Sequence, residues 1–203
     1  MTKFFHLPAS CSSAVHAALT ITQTPFELEV VDLGNKSEAF EEANPLGKVP
    51  ALLDDGGPAF EGGAINLWLA AKNPEAGLMP ELSTYEGREA LKWLFFCYAT
   101  IHPIWIRLFF PQRIAGEGDL AAVSKLAETD LMDNYALLDA ALRDQDFLAG
   151  DTMSLADLYV ASTLHWEAKI DGKITQIFPA LAALKQRVLG VPGVSRAFAG
   201  EIT

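Results

Sequence analysis

The stretch Lys48-Val49-Pro50-Ala51-Leu52 leaves this chain few folds to choose from. It follows Asn44-Pro45-Leu46-Gly47, a turn cluster, and precedes Asp54-Asp55-Gly56-Gly57, a hairpin turn. Between those turns only a short apolar strand fits. Pro50 stands at its start, one of the few places where a sheet tolerates a residue without an N–H. Proline also drives the preceding Val49 into extended backbone. A trans Val49–Pro50 bond is the ordinary case on base rates. A cis bond would turn the Val49 N–H and C=O outward, free to pair with an extended peptide ligand, and the sequence does not choose between the two.

Composition narrows the classes. The chain has 203 residues, enough for one large domain or two small ones, and half of them are hydrophobic, so a sizeable core can form. Twenty-six acidic residues against 15 basic ones give a formal charge of −11. No Lys/Arg cluster offers the basic face that binding a polyanion requires, which argues against nucleic acid as a partner. No apolar run reaches the roughly 18 residues that suggest a spanning helix, so no membrane segment is expected. Met1-Thr2-Lys3-Phe4 enters a strand at once and lacks the apolar region of a signal peptide. Two cysteines, Cys11 and Cys97, make no disulfide framework, and the expectation is a cytoplasmic protein with reduced thiols. No histidine–cysteine–carboxylate spacing argues for a metal.

Along the chain, Lys3–Leu7 reads as a buried strand, residues 13–22 as a helix capped by Cys11 or Ser12, and Phe26–Val31 as a second strand. Ser37–Glu42 reads as a short helix. The Val49-Pro50 strand follows, then a hairpin into a short strand near Pro58–Phe60. A helix from Glu61 stops near Asn73-Pro74, and Glu75–Pro80 reads as a linker. The rest is helical in pattern. Thr84 can cap a long helix through Tyr98 that Pro103 and Pro111 must kink or divide. Leu120–Leu142 carries apolar residues at helical spacing. Ser154-Leu155-Ala156-Asp157 has the form of a capping box opening a helix through Trp166. Phe178–Leu189 is one more helix, and Val194–Phe198 a last turn.

Several residues have both a structural and a chemical reading. Cys11 stands after a strand and before a helix, with Pro50 to face it. Alone it would pass for a small buried hydrophobe. At a helix N-terminus a thiol is expected to have a lowered pKa and a larger thiolate fraction. Ser10 and Ser12 flank it and can either donate to a thiolate or cap the helix. Glu61 is equally a first-turn acid favoured by the helix dipole, and Gly62 permits close backbone approach. His102, near Trp105, Phe109 and Phe110, is either a packed histidine or an acid–base group: neutral imidazole can accept a thiol proton, and imidazolium would stabilise a thiolate.

Taken together, Pro8-Ala9-Ser10-Cys11-Ser12, Asn44-to-Leu52 and Phe60-to-Ile65 resemble the glutathione transferases, and the cysteine resembles the bacterial beta class. The likeness covers nearly the whole chain. It implies an α/β thioredoxin-like N-terminal domain (residues 1–75, order β-α-β-α-β-β-α), a linker (76–84) and an all-α C-terminal domain (85–203). Catalysis would fall to Cys11, Ser10 and His102. Glutathione, as cosubstrate, would be held by Lys36, Val49, Pro50, Glu61 and Gly62, with Glu61 clamping the γ-glutamyl end and Lys36 approaching the glycine carboxylate. Trp105 and Trp166 would line an apolar acceptor pocket. The implied activity is conjugation of glutathione to small apolar electrophiles, as in detoxification, with thiol–disulfide exchange through Cys11 as an added capacity. The alternatives are a glutathione-dependent disulfide reductase, a lyase or dehalogenase on the same fold, or a non-catalytic ligand-binding protein. A homodimer is implied as well. One departure stands out: Phe95 occupies the place where the class commonly has a polar residue that reaches the partner subunit's glutathione.

Overall fold

The structure, a computed structural model, describes residues 1–199. Four strands form one sheet: β1 (Thr2–His6), β2 (Phe26–Val30), β3 (Ala51–Asp54) and β4 (Gly57–Phe60), in the order β2-β1-β3-β4. β1 runs parallel to β2 and antiparallel to β3, and β3 and β4 form the expected hairpin. The parallel pair needs a crossover, supplied by α1 (Ser12–Ile21). Successive side chains of β1 point to opposite faces. Phe4 joins Val15, Leu19, Leu52, Ile65 and Leu69 beneath α1 and α3 (Gly62–Lys72). Phe5 joins Phe40, Ala43 and Ala51 beneath α2 (Glu38–Ala43). Both phenylalanines are fully buried, so β1 is covered on both of its faces.

The remainder is helical: α4 (Tyr85–Phe96), α5 (His102–Phe109), α6 (Gln112–Ala115), α7 (Leu120–Ala141), α8 (Leu155–Leu164), α9 (Lys173–Ile177), α10 (Pro179–Leu189) and α11 (Val194–Ala199). All ten residues of α8 are buried, so it is the central helix of this half. Its capping box forms as expected. Asp157 Oδ2 accepts from the Ser154 N–H and hydroxyl, and Oδ1 accepts from the Leu148 N–H, each at 2.8 Å.

Three features differ from expectation. Ahead of Pro103, which cannot donate a backbone hydrogen bond, the chain widens into a π-helical turn, Cys97–Ile101, rather than simply kinking. The helix expected to run to Trp166 ends at Leu164 and continues as a tighter 3-10 stretch, His165–Ile170, before Asp171 and Gly172 take positive φ (57° and 70°). The short helices α6 and α9 were not anticipated, being too short to show a period.

Candidate active site

The Val49–Pro50 bond is cis. The ladder with β1 begins at Ala51, so Val49 lies outside it. Asn44 braces the turn before it, its amide donating to the Lys48 carbonyl (2.6 Å) and its oxygen accepting from the Leu46 N–H (3.0 Å). The Val49 carbonyl accepts from the Cys11 thiol across 3.4 Å. The two stretches from which the sequence reading was built therefore meet at one hydrogen bond.

Cys11 occupies the N-cap position of α1 without capping it. The turn that carries it is held from within: Ser10 Oγ and Ser12 Oγ are 2.7 Å apart, Ser10 Oγ accepts from the Ser12 N–H, and Ser12 Oγ lies 2.7 Å from His6 Nδ1. Ser12 is fully buried, and both hydroxyls are engaged inside the turn. The turn is also held from the helical half. Trp166 Nε1–H donates to the Ala9 carbonyl (2.8 Å), and Ala9 takes a left-handed φ of 58°.

The expected lowering of the Cys11 pKa does not occur. Burial pushes the thiol up to about 11; the backbone N–H groups of Cys11 and Ser12 pull it down only part of the way, and the Glu61 carboxylate adds to the rise. Desolvating a thiolate outweighs the helix-terminal N–H groups here.

Glu61 is exposed and holds a positive φ of 70°, an uncommon conformation for a residue with a side chain. Gly62, buried, follows it. A β-carbon at Gly62 would lie 2.8 Å from Tyr98 Oη and 3.1 Å from Pro50 Cγ, so the two halves and the cis proline converge there and leave room for glycine only. The Lys36 ammonium folds over Gly47, in the turn that leads to Val49.

His102 opens α5. Burial, and then the charge of Lys48, lower its imidazole to about 4, so it is neutral at neutral pH and the imidazolium reading does not hold for the protein as it stands. Its ring lies 5.4 Å, centroid to centroid, from that of Trp166, whose indole N–H bonds the Cys11 turn. Trp105 is fully buried; its N–H donates to Tyr135 Oη (2.9 Å), which donates to Thr163 Oγ1 (2.8 Å). Trp105 thus backs the aromatic cluster, while His102 and Phe109 keep partial exposure. Phe95 is 56% exposed on α4. A surface groove of about 620 Å³ lies elsewhere, beyond the far end of β3 beside Asp54, Pro58 and Trp68.

Sequence reasoning missed Tyr98, Tyr159 and Asn66. The Asn66 amide donates to Tyr98 Oη (3.2 Å), the Tyr98 ring stacks on Tyr159 (centroids 3.7 Å, planes 22° apart), and Tyr159 Oη lies 2.6 Å from His102 Nδ1. The spacing of four between Tyr98 and His102, which sets them on one helical face, was the available signal.

Known proteins carry the same frame. The family model for the glutathione S-transferase N-terminal domain matches residues 4–77, and that for the C-terminal domain matches residues 90–192. The chain is 34% identical to the glutathione S-transferase GST-4.5 of Xanthomonas campestris over 98% of each chain. Two solved structures, each 32% identical over 98% of both chains with a TM-score of 0.83, are the bacterial beta class glutathione S-transferase of Sphingomonas chungbukensis and a sphingomonad glutathione S-transferase complexed with glutathione. With sequence, fold and full-length coverage in agreement, this chain belongs to the glutathione S-transferase family.

Proposed function

We propose that this transferase joins the thiol of glutathione to small apolar electrophiles, with Cys11 beside the cosubstrate sulfur. The observation that carries the reading is the Cys11 thiol bonded to the carbonyl that precedes cis-Pro50, with Glu61-Gly62 packed beside Pro50. Glutathione would lie extended along Val49, its γ-glutamyl amine on Glu61, its carboxylate on the backbone at Gly62 and its glycine end toward Lys36. In conjugation the glutathione thiol loses its proton, its sulfur forms the new C–S bond, and the leaving group departs with the displaced electron pair. His102, Phe109 and Trp166 supply the apolar side of the acceptor pocket, with Trp105 behind them.

A second reading rests on the same thiol. In disulfide exchange the Cys11 thiolate attacks one sulfur of glutathione disulfide, a mixed disulfide forms, and glutathione leaves as its thiolate. A thiol raised to about 11 is mostly protonated at neutral pH. The adduct should therefore form slowly and speed up about tenfold per pH unit toward 11. We favour conjugation as the main reaction, with Cys11 as a hydrogen-bonding thiol.

Titration calorimetry of the reduced protein with glutathione is the test. Glu61→Ala should weaken binding at least tenfold, as expected for a lost charge-assisted hydrogen bond; unchanged affinity would overturn the site. Cys11→Ala should retain conjugation and lose the glutathione adduct seen by mass spectrometry. We further propose a cytoplasmic homodimer. Among the described residues no helix is long and apolar enough to cross a membrane. Exposed Phe95 would make the contact between subunits apolar at that place, and light scattering on Phe95→Lys tests it.

A further inference from the structure

Tyr159 meets one nitrogen of His102 from the interior. Its phenol oxygen lies 2.6 Å from His102 Nδ1, and its residue is fully buried on α8. Its ring is fixed between neighbours, stacked on Tyr98 with centroids 3.7 Å apart. Among the described residues the Tyr159 hydroxyl reaches no acceptor other than His102 Nδ1. A buried hydroxyl proton left without an acceptor is costly, so the hydroxyl donates and Nδ1 accepts. A neutral imidazole carries one N–H, and it then sits on Nε2.

We propose that Tyr159 is a positioning residue that locks His102 in the Nε2–H tautomer, so that His102 offers the site a hydrogen-bond donor for a sulfur anion rather than a general base. Both nitrogens are then committed: Nδ1 holds the Tyr159 proton, and Nε2 already carries its own. Burial, which raises the Tyr159 phenol well above its ordinary range and lowers the His102 imidazole, keeps both groups neutral and the direction of the bond fixed. Asn66 holds Tyr98 from the glutathione side (3.2 Å), so the packing that fixes Tyr159 reaches the edge at Gly62. The assignment of a sulfur anion as the recipient rests on the proposed transferase reading; the tautomer does not.

Nitrogen-15 NMR of the histidine side chains at neutral pH is the direct test, with His102 assigned by comparison with His102→Gln. An unprotonated Nδ1 and a protonated Nε2 are expected. A protonated Nδ1 would overturn the proposal whether or not the protein binds glutathione. Tyr159→Phe removes one oxygen and keeps the ring, and it should release His102 into a mixture of tautomers. In conjugation assays the same variant should lower kcat several-fold and leave the KM for glutathione within twofold. A tautomer and kcat that do not change in Tyr159→Phe would reduce Tyr159 to packing. Should that variant not fold, the spectrum of the unaltered protein still decides.

Discussion

Two helices of this protein begin in opposite ways. α8 starts with every nearby polar group satisfied: Ser154 and Asp157 cap each other, and the carboxylate also holds the Leu148 N–H, all in the interior. α1 starts with a cysteine that caps nothing, on a turn with left-handed Ala9 and steadied by Trp166 from the other half of the molecule. α3 resembles α1 in this, since Glu61 at its N-cap makes no cap bond and takes a positive φ. The capped terminus is stability; the two uncapped ones flank cis-Pro50, where the proposed site lies. Local order has been given up where the proposed site lies, and the neighbouring structure compensates.

Acid should separate the two regions most strongly. His6 on β1 and His16 on α1 are buried with rings 5.1 Å apart, and burial lowers them to about 3 and about 4. The folded state keeps both neutral, whereas the unfolded chain takes up protons below about 6.5. The pair's contribution to stability is therefore fully present above that pH and is lost as pH drops toward 3. Urea midpoints measured across this range should fall in that order, and His16→Leu should flatten the curve. A profile that stays flat in the unaltered protein would mean the pair is not held neutral.

Asp157→Ala comes next. It removes the acceptor for three buried donors, and about 3 kcal/mol of stability should go with it. Thermal unfolding checks this; a loss below about 1 kcal/mol would say that the box is not what holds α8.

The smallest and sharpest contrast is at Glu61. Glu61→Gly relieves the positive φ and should stabilise the fold by about 1 kcal/mol. The same variant should lose glutathione affinity as fully as Glu61→Ala. Gaining stability while losing binding is the mark of strain kept for a ligand; losing both would put Glu61 among the structural residues.

Much of this was legible along the chain. Strands, turns and the long helices are local matters, and the turn clusters on either side of Lys48–Leu52 fixed where β3 had to lie. The capping box was readable because its partners are three residues apart. Cys11, Pro50 and Glu61 could each be singled out with a stated chemistry. Their electrostatics could not. A helix start predicts a low thiol pKa, and only the packing around Cys11 shows that desolvation wins. Tyr98 and Tyr159 escaped notice because a tyrosine on a helix is ordinary in sequence, and their importance comes from Gly62 and His102, 36 and 57 residues away in the numbering.

The sequence by itself determined the order of the strands and long helices and the candidate chemistry, because those follow from residue type and short spacing. Tertiary structure alone decided that Val49–Pro50 is cis, that the Cys11 thiol meets the Val49 carbonyl, and that its pKa rises rather than falls. The physical reason is range. Propensity, capping and turn chemistry act over three or four residues. Desolvation and the direction of a buried hydrogen bond depend on whatever the fold brings within a few ångströms.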